Sequence, residues 1–436
     1  MSDILIAIAN GRKMGEVEFQ ANRLRFRYDP DWQGDPSAFP LSLSMPLASS
    51  EHGHRVVDAF LWGLLPDNEG VLDRWGRRFQ VSPRNPFRLL EHVGEDCAGA
   101  VQFFGFERAQ SILAAGDEPS VQWLTDKEME SRITAVVADA AATRLGGDSG
   151  QFSLAGAQPK TALYFDKEKK KWGVPEGRTP TTHILKPATG AFDGQVENEH
   201  FCLRLASGLG FPTAQSSVTH WGGIPVIVVE RFDRVERNGL VRRVHQEDFC
   251  QAAGIHPQLK YQSQGGPSPR DIGEILRTCS ASPEEDVARF ADALICSWLI
   301  ASTDAHAKNY SMLIGNGGRA RLSPLYDLAS AIPYPQQVYP RKAALAMKIG
   351  SHYRIQQIRH ADWKKLARDL RLVPGEISAR VENMAEQIAA VAGGVAETMV
   401  REGIDHPVVH RLADGLKSHV RERLRNWEKS DSKLPE

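Results

Sequence analysis

The sequence is poor in the features that assign a protein quickly. Its five cysteines, Cys97, Cys202, Cys250, Cys279 and Cys296, are odd in number and scattered, with no C-x-x-C pair. That argues against a disulfide framework and a zinc site, and it fits a reducing compartment. No apolar stretch approaches the roughly 18–20 residues that span a bilayer. The opening MSDILIAIANG puts Asp3 where a secretory leader carries basic charge, and its apolar run is short. A soluble cytoplasmic protein with no membrane partner is expected. Neither sign of charge is in excess: 53 Lys plus Arg against 54 Asp plus Glu leave a formal net charge of −1. Nucleic acid could therefore be met only by a local basic patch. There are no internal repeats and no low-complexity tract.

What is present is ordinary globular material. The chain has 436 residues, 42% hydrophobic and 25% charged, enough for two or three domains. DILIAIANG, MGEVEFQ and RLRFRYD are short, partly alternating runs between Gly and Asn turns, and predict strands. A helical stretch follows over VVDAFLWGLLPDNEGVLDRWGRRF. Positions 106–122 read as a connection at a domain boundary, closing on Gly116, Asp117, Glu118 and Pro119. KTALYFD (160–166) and HILKPA (183–188) predict strands, with KEKKKWG as a charged turn between them. ENEHFCLRLASGLG predicts a helix ending on a glycine cap, and IPVIVVERFD (224–233) a central strand emerging at a site. Helices dominate after residue 245. In the clearest one, Ser282 and Glu285 have capping-box spacing and Pro283 takes the first helical position. Val287, Phe290, Leu294 and Trp298 then recur at helical spacing. The C-terminal third is also helical and ends in the polar tail SDSKLPE.

That helix runs into STDAHAKNYSML (302–313), where proton-handling groups crowd beside apolar structure. Phosphoryl transfer requires a carboxylate near the attacking hydroxyl, oxygen ligands for Mg²⁺ and a cation on the phosphates. Asp304 and Asn309 have the D-x-x-x-x-N spacing that protein kinases use. YSMLI reads as a strand, GNGG as a turn and RARLS as its return, followed by Pro324-Leu325-Tyr326-Asp327. Such a hairpin sets Asn309 beside Asp327, an amide oxygen and a carboxylate able to share Mg²⁺. Three other readings stay open. The D-x-x-x-x-N spacing recurs by chance, Asp304 and His306 have a transition-metal spacing, and Asp304 could cap a turn. The hairpin and Asp327 favour phosphoryl transfer.

Lys186, within HILKPA, is the candidate phosphate-holding cation, with an edge-strand charge as the alternative. Glu199, ahead of Glu197, could orient it; both could instead compensate a helix N-terminus. SLAGAQPKTALY (153–164) ends like a P-loop in Lys-Thr, but Leu154 and Pro159 stand where the two glycines belong. It remains a loop of small residues entering a strand, with amides able to approach phosphate. On pattern alone Ser153 is no more than a surface hydroxyl.

Together these stretches resemble the HipA family of serine/threonine kinase toxins from bacterial toxin–antitoxin pairs. The shared residues are SLAGAQPKTAL (153–163), THILKP (182–187), NEHFCLRLA (198–206), VERFDR (229–234), HQEDFCQA (245–252), KYQSQGGP (260–267), TDAHAKN (303–309) and SPLYDLASA (323–331). They stand in the family's order, and SLSMPL and FLWGLLPDNEGVLDRW match its small N-terminal subdomain. The resemblance implies an α/β (α+β), two-lobed protein-kinase-like fold with ATP bound between the lobes. A small β-rich subdomain would cover 1–110, the nucleotide-binding part 150–245, and a mostly helical lobe with the catalytic loop 246–430.

The resemblance also implies ATP and Mg²⁺ as cofactors. Carried over by position, Asp304 is the catalytic base, Asn309 and Asp327 hold Mg²⁺, and Lys186 holds ATP phosphates. His306 and Lys308 line the catalytic loop. Ala155, Gly156, Ala157, Gln158 and Lys160 belong to the phosphate-covering loop. Glu230 and Phe232 form the adenine hinge, and Tyr326 packs near the nucleotide. Ser153 is autophosphorylated, which silences the kinase. Ala305 and Pro159 depart from the best-known member, which has Gly and Glu there; Pro159 also removes an amide donor next to Lys160. The implied function is a protein kinase toxin whose target is a translation component such as an aminoacyl-tRNA synthetase. Its implied partner is a HipB-like helix-turn-helix antitoxin, through which operator DNA is met. A catalytically idle antitoxin-binding co-repressor is the alternative, and a small-molecule kinase on a related fold a weaker one. The basic stretches RVERNGLVRR (234–243) and HVRERLRNW (419–427) read as DNA-phosphate contacts or, more simply, as solvated faces.

Overall fold

The structure, a computed structural model, describes residues 3–116, 118–142 and 152–431. Asp117, residue 150 and positions 432–436 of the polar tail lie outside the described residues. The chain divides into two compact units. One comprises Met1–Thr189, Thr219–Gln258 and Ser311–Ala320; the other comprises Gly190–Val218, Leu259–Tyr310 and Arg321–Glu436.

The first unit opens with the expected strands, β1 (Asp3–Ala9), β2 (Arg12–Gln20) and β3 (Arg23–Tyr28). They turn at Asn10-Gly11 and Ala21-Asn22, all in left-handed backbone. α1 (Pro30–Gln33) and β4 (Glu51–His52) follow. The long helical stretch is two helices, α2 (His54–Gly63) and α3 (Glu69–Phe79). Pro66 lies in the break, and the Asn68 side chain restarts the helix by accepting from Val71 N. After α4 (Pro86–Val93), β5 (Val101–Gly105) completes a sheet of order β4-β3-β2-β1-β5. The stretch read as a connection contains α5 (Phe106–Ala114), whose Ala109 and Ile112, three residues apart, pack on Ile6, Ile8 and Phe104.

β6 (Ser120–Trp123) and α6 (Asp126–Ala138) lead into a second sheet. Its further strands are β7 (Thr161–Asp166), β8 (Lys171–Glu176), β9 (His183–Pro187), β10 (Ser216–Trp221) and β11 (Ile224–Glu230); α7 (Gln195–Gly208), between β9 and β10 in the chain, belongs to the other unit. The strand order is β10-β11-β9-β7-β8-β6. KEKKKWG is a turn only as far as Lys170; from Lys171 it is β8, a strand the sequence reading missed. Gly173 lets β8 approach β6, since a Cβ there would lie 2.3 Å from the Val121 side chain. Met129 and Ile133 of α6 cover Leu163, Val174, Leu185, Val226 and Val228. β11 is buried from Val226 to Val229 and flanked on both sides, as expected of a central strand. β12 (Arg234–Arg237), β13 (Leu240–Arg243) and β14 (His245–Asp248) complete this part.

Helices then dominate: α8 (Phe249–Ala252), α9 (Pro269–Cys279) and α10 (Pro283–Leu299). β15 (Ser311–Ile314), β16 (Ala320–Leu322), and the ribbon β17 (Ala344–Ile349) and β18 (His352–Arg354) interrupt them. α11 (His360–Asp369), α12 (Pro374–Arg401) and α13 (Pro407–Asp431) end the chain. Pro283 opens α10 as expected, but the capping box does not form, because the Ser282 side chain makes no cap bond. The fully buried Asp286 organises this end instead. It accepts from Ser280 Oγ (2.6 Å), Arg321 Nε (2.9 Å) and Leu322 N (2.9 Å), while Glu285 pairs with Arg321 (2.8 Å). Charge-assisted bonds to a buried carboxylate outweigh an exposed cap. In α13, Arg423 and Trp427 are buried, so 419–427 is not a uniform basic face.

Candidate active site

The predicted site residues fall into two groups, one in each unit. In the second unit, α10 ends with Ala301 in left-handed backbone (φ 53°) and Ser302 N bonded to Ser297 O (2.8 Å). This is a Schellman-type stop, and it aims the chain into the loop. Left-handed alanine costs on the order of 1 kcal/mol, and Ala331 N holds it in place through Ala301 O (3.1 Å). Residues 304–309 then close on themselves. His306 N donates to Asp304 O (2.7 Å), Asn309 N to His306 O (2.9 Å) and Asn309 Nδ2 to Asp304 O (2.9 Å). His306, Lys308 and Asn309 are buried, whereas Asp304 is exposed. The loop's own backbone thus takes up the Asn309 amide where it lies against apolar structure.

Asp327 arrives as the hairpin predicts. β15 and β16 are neighbours in their sheet, and Gly315 N bonds Arg319 O (2.8 Å) across the turn. The hairpin alone does not hold Asp327, however. Leu325 N donates to Pro212 O (2.8 Å) and Leu325 O accepts from Ala214 N (2.8 Å). On the other side Asn198 brackets Ser330, donating to its carbonyl (2.8 Å) and accepting from its amide (3.0 Å). Tyr326 OH reaches Lys308 O (2.7 Å). Between these clamps Asp327 adopts left-handed backbone (φ 54°), a conformation that concentrates at functional sites. Asn309 and Asp327 line one small cavity with Ala305, Tyr310 and Tyr326. Sequence reasoning missed Asn198 as a clamp, because the two residues are 132 apart in the chain. It also missed Tyr261, whose hydroxyl donates to Asp304 Oδ1 (2.5 Å).

In the first unit the other group lies on three adjacent strands. Lys186 pairs with Ile227, His183 with Glu230, and Leu185 with Thr161 at the exit of the 155–160 loop. Lys186 is buried on an interior strand, which removes the edge-strand reading. Glu197 and Glu199 are buried on α7, in the other unit. Within the loop Lys160 Nζ donates to Ala155 O (2.7 Å) over Gly156 (φ 104°). A Cβ on Gly156 would lie 2.5 Å from that ammonium, so glycine is needed there. Ala157 and Gln158 line a crevice with Val71 and Trp75. Ser153 is not a surface hydroxyl: it is fully buried, with Oγ on Leu64 O (2.8 Å) and its amide on Asp96 O (3.0 Å). The cause is local packing, because Phe152 and Leu154 on either side enter an apolar cluster with Ala162.

Glu230 and Phe232, expected at the hinge, are half-buried, and Glu230 pairs with Lys167 (2.8 Å). Between and after them runs a buried ionic network that the sequence did not announce. Arg231 and Arg234 each lie 2.8 Å from Asp233 Oδ2, Arg234 reaches Asp96 Oδ1 (2.9 Å), and Arg243 reaches the same oxygen (3.1 Å). Burial alone would raise the Asp96 carboxyl; the guanidiniums of Arg234, Arg243 and Arg231 outweigh it and hold the group well below the usual carboxylate range. Arg234 and Arg243 are therefore spent inside, and 234–243 is not a solvated basic face over its full length. Asp96 contacts both the Ser153 amide and the segment after Phe232. His183 is lowered to about 4 by burial, so it is neutral.

Among the described residues no cluster of three or more His, Cys, Asp or Glu side chains is placed to hold a metal ion. The donor pair in the cavity is an amide and a carboxylate, both hard oxygen donors of the kind Mg²⁺ takes.

The HipA N-terminal domain matches residues 5–104, and the HipA-like C-terminal domain matches 152–392. Y4mE of Sinorhizobium fredii is 34% identical over 418 residues, 94% of this chain and 96% of its own length. The serine/threonine-protein kinase toxin HipA of Shewanella oneidensis is 32% identical over 339 residues, 74% of this chain and 73% of its own. The solved complex of Shewanella oneidensis MR-1 HipA with HipB and operator DNA aligns with a TM-score of 0.82 and 26% identity, covering 99% of this chain and 100% of that one. Fold and relatives together define an enzyme of the serine/threonine-protein kinase class. Within that class the chain belongs to the HipA family of kinase toxins.

Proposed function

We propose that the chain is an ATP- and Mg²⁺-dependent kinase acting as the toxin of a toxin–antitoxin pair. The observation that carries this reading is the shared cavity of Asn309 and Asp327 beside the Asp304 loop. Asp304 is exposed and takes the proton of the acceptor hydroxyl. With Nδ2 committed to Asp304 O, Asn309 has its amide oxygen left to pair with the Asp327 carboxylate as oxygen donors for Mg²⁺. When bound, Mg²⁺ neutralises charge on the phosphate oxygens. Lys186 supplies the cation for the nucleotide phosphates, and residues 155–160 supply backbone amides, except at Pro159. Glu230 and Phe232 offer adenine a hinge, and Tyr326 offers a ring beside the nucleotide. His306 and Lys308 build the loop's wall. The domain division at 1–110, 150–245 and 246–430 belongs to the same reading.

Ser153 is the site of self-modification in this reading. Its hydroxyl must leave Leu64 O to meet ATP. A phosphate of about −1.5 to −2 charge could not return to that buried place without a cation, so the loop stays displaced and the kinase is silenced. The target is a translation component such as an aminoacyl-tRNA synthetase. A HipB-like antitoxin is the partner, and operator DNA is met through it. The likeness to the HipA–HipB–DNA complex supports both. Co-repression can coexist with catalysis, and the retained Asp304, Asn309, Asp327 and Lys186 favour an active enzyme over an idle one. Five free cysteines support a cytoplasmic setting. Among the described residues no helix is long and apolar enough to cross a membrane.

Asp304→Ala and Asp327→Ala are each expected to abolish ³²P incorporation from labelled ATP while far-UV circular dichroism stays unchanged. Wild-type labelling in either variant would falsify the role given to that residue.

A further inference from the structure

Tyr261 belongs to KYQSQGGP, a stretch to which the kinase reading gives no task. Its hydroxyl donates to Asp304 Oδ1 at 2.5 Å. The ring meets His306 edge-on, with centroids 5.1 Å apart, and the Lys260 ammonium lies 5.6 Å from its centre. The neighbours on both sides are tied down. Lys260 O accepts from Ala307 N (3.4 Å), inside the catalytic loop, and Gln262 Oε1 accepts from Lys348 N (2.7 Å). The segment then folds back on itself, with Gly266 N on Tyr261 O (3.0 Å). Gly265 is left-handed (φ 99°), and a Cβ on Gly266 would lie 2.1 Å from Leu259 O. Residues 259–266 are therefore a built turn docked on the catalytic loop.

An exposed carboxylate turns freely about its last bond unless something holds one oxygen. A phenol carried on a fixed turn does this. We propose that Tyr261 is a positioning residue: it holds Oδ1 of Asp304 so that Oδ2 faces the hydroxyl to be phosphorylated. The phenol keeps its proton throughout; the acceptor's proton goes to Oδ2. The proposal rests on the reading of Asp304 as the base.

Tyr261→Phe keeps the ring against His306 and removes only the donor. Full-length chains are given [γ-³²P]ATP, and transfer to the chain itself and to added casein is followed. The expected result is a fall of about 10- to 100-fold in the rate at saturating ATP, in line with the sensitivity of such reactions to small misplacements. The ATP concentration for half-maximal rate and the thermal midpoint are expected to stay at wild-type values, a split that a purely structural role would not give. An unchanged rate overturns the proposal. So does a faster rate, which would mean that the phenol blocks the acceptor's place. A slower rate accompanied by weaker ATP use or a lowered midpoint also overturns it. Asp304→Asn is the control. If that variant still transfers phosphate, the base assignment fails; if it is silent while Tyr261→Phe behaves as wild type, only the role of Tyr261 fails. A wild-type chain that labels neither itself nor casein counts against both.

Discussion

Ser153 and Asp96 show how single residues acquire roles that their types do not announce. A serine between Phe152 and Leu154 is drawn inside by its neighbours, and its hydroxyl becomes a structural donor to Leu64 O. The same hydroxyl is the proposed phosphate acceptor, so being held and being modified compete. Ser153→Ala is expected to cost about 1 kcal/mol in urea unfolding, the worth of one buried hydrogen bond. It should also end self-labelling while leaving nucleotide binding intact. Phosphopeptide mass spectrometry that still finds self-phosphorylation in the Ser153-free chain would place the modification elsewhere. Asp96 works by charge. Its carboxylate joins Arg234 and Arg243 while its carbonyl takes the Ser153 amide, so one residue braces the start of the 153–160 loop and the segment after Phe232.

At the scale of elements, α10 is the piece on which the catalytic loop depends. Its apolar stripe buries Val287, Phe290, Leu294 and Trp298, and its end at Ala301 sets the direction of residues 302–309. Its start is organised by Asp286 rather than by a cap, and this separates two serines that look alike in the sequence. Ser282→Ala removes no side-chain cap bond and is expected to leave stability within about 0.5 kcal/mol of wild type. Ser280→Ala takes a 2.6 Å donor from a buried carboxylate and should cost about 1–3 kcal/mol. Equal losses for the two variants in denaturant titrations would contradict this account of the helix start.

For the whole molecule, buried titratable groups set the pH window of stability. Glu247 on β14 accepts from Ser42 Oγ (2.6 Å) and Leu43 N (2.7 Å), and burial pushes its carboxyl up from 4.5 to about 8. A folded value above the unfolded one means that its stabilising effect is full below about 4.5 and is lost as pH rises through about 8. Glu247→Gln cannot ionise. Its unfolding free energy should gain on that of the wild type from pH 5 to pH 8, by an amount on the order of 3 kcal/mol in denaturant titrations. A pH-independent difference would show that Glu247 titrates normally. His183 and His245 act the other way. Burial lowers both to about 4, so their contribution is present above 6.5 and fades as pH falls toward 4.

The sequence by itself determined whatever depends on near neighbours in the chain: the β1–β3 meander, β9 and β11, the body of α10, the hairpin after 314, and the D-x-x-x-x-N loop. Apolar period and turn residues act over a few positions, so they can be read there. KEKKKWG was less legible, because charged residues can begin a strand as easily as fill a turn. Only the tertiary structure decided that Ser153 is buried, that Asp286 replaces the capping box, and that Arg234 and Arg243 face inward. The clamps on Asp327 and the phenol on Asp304 are of the same kind. The contacts of Ser153 with Leu64, of Asp286 with Arg321 and of Arg234 and Arg243 with Asp96 join residues far apart in the chain, and burial and charge pairing, which choose such partners, leave no periodic mark along a sequence.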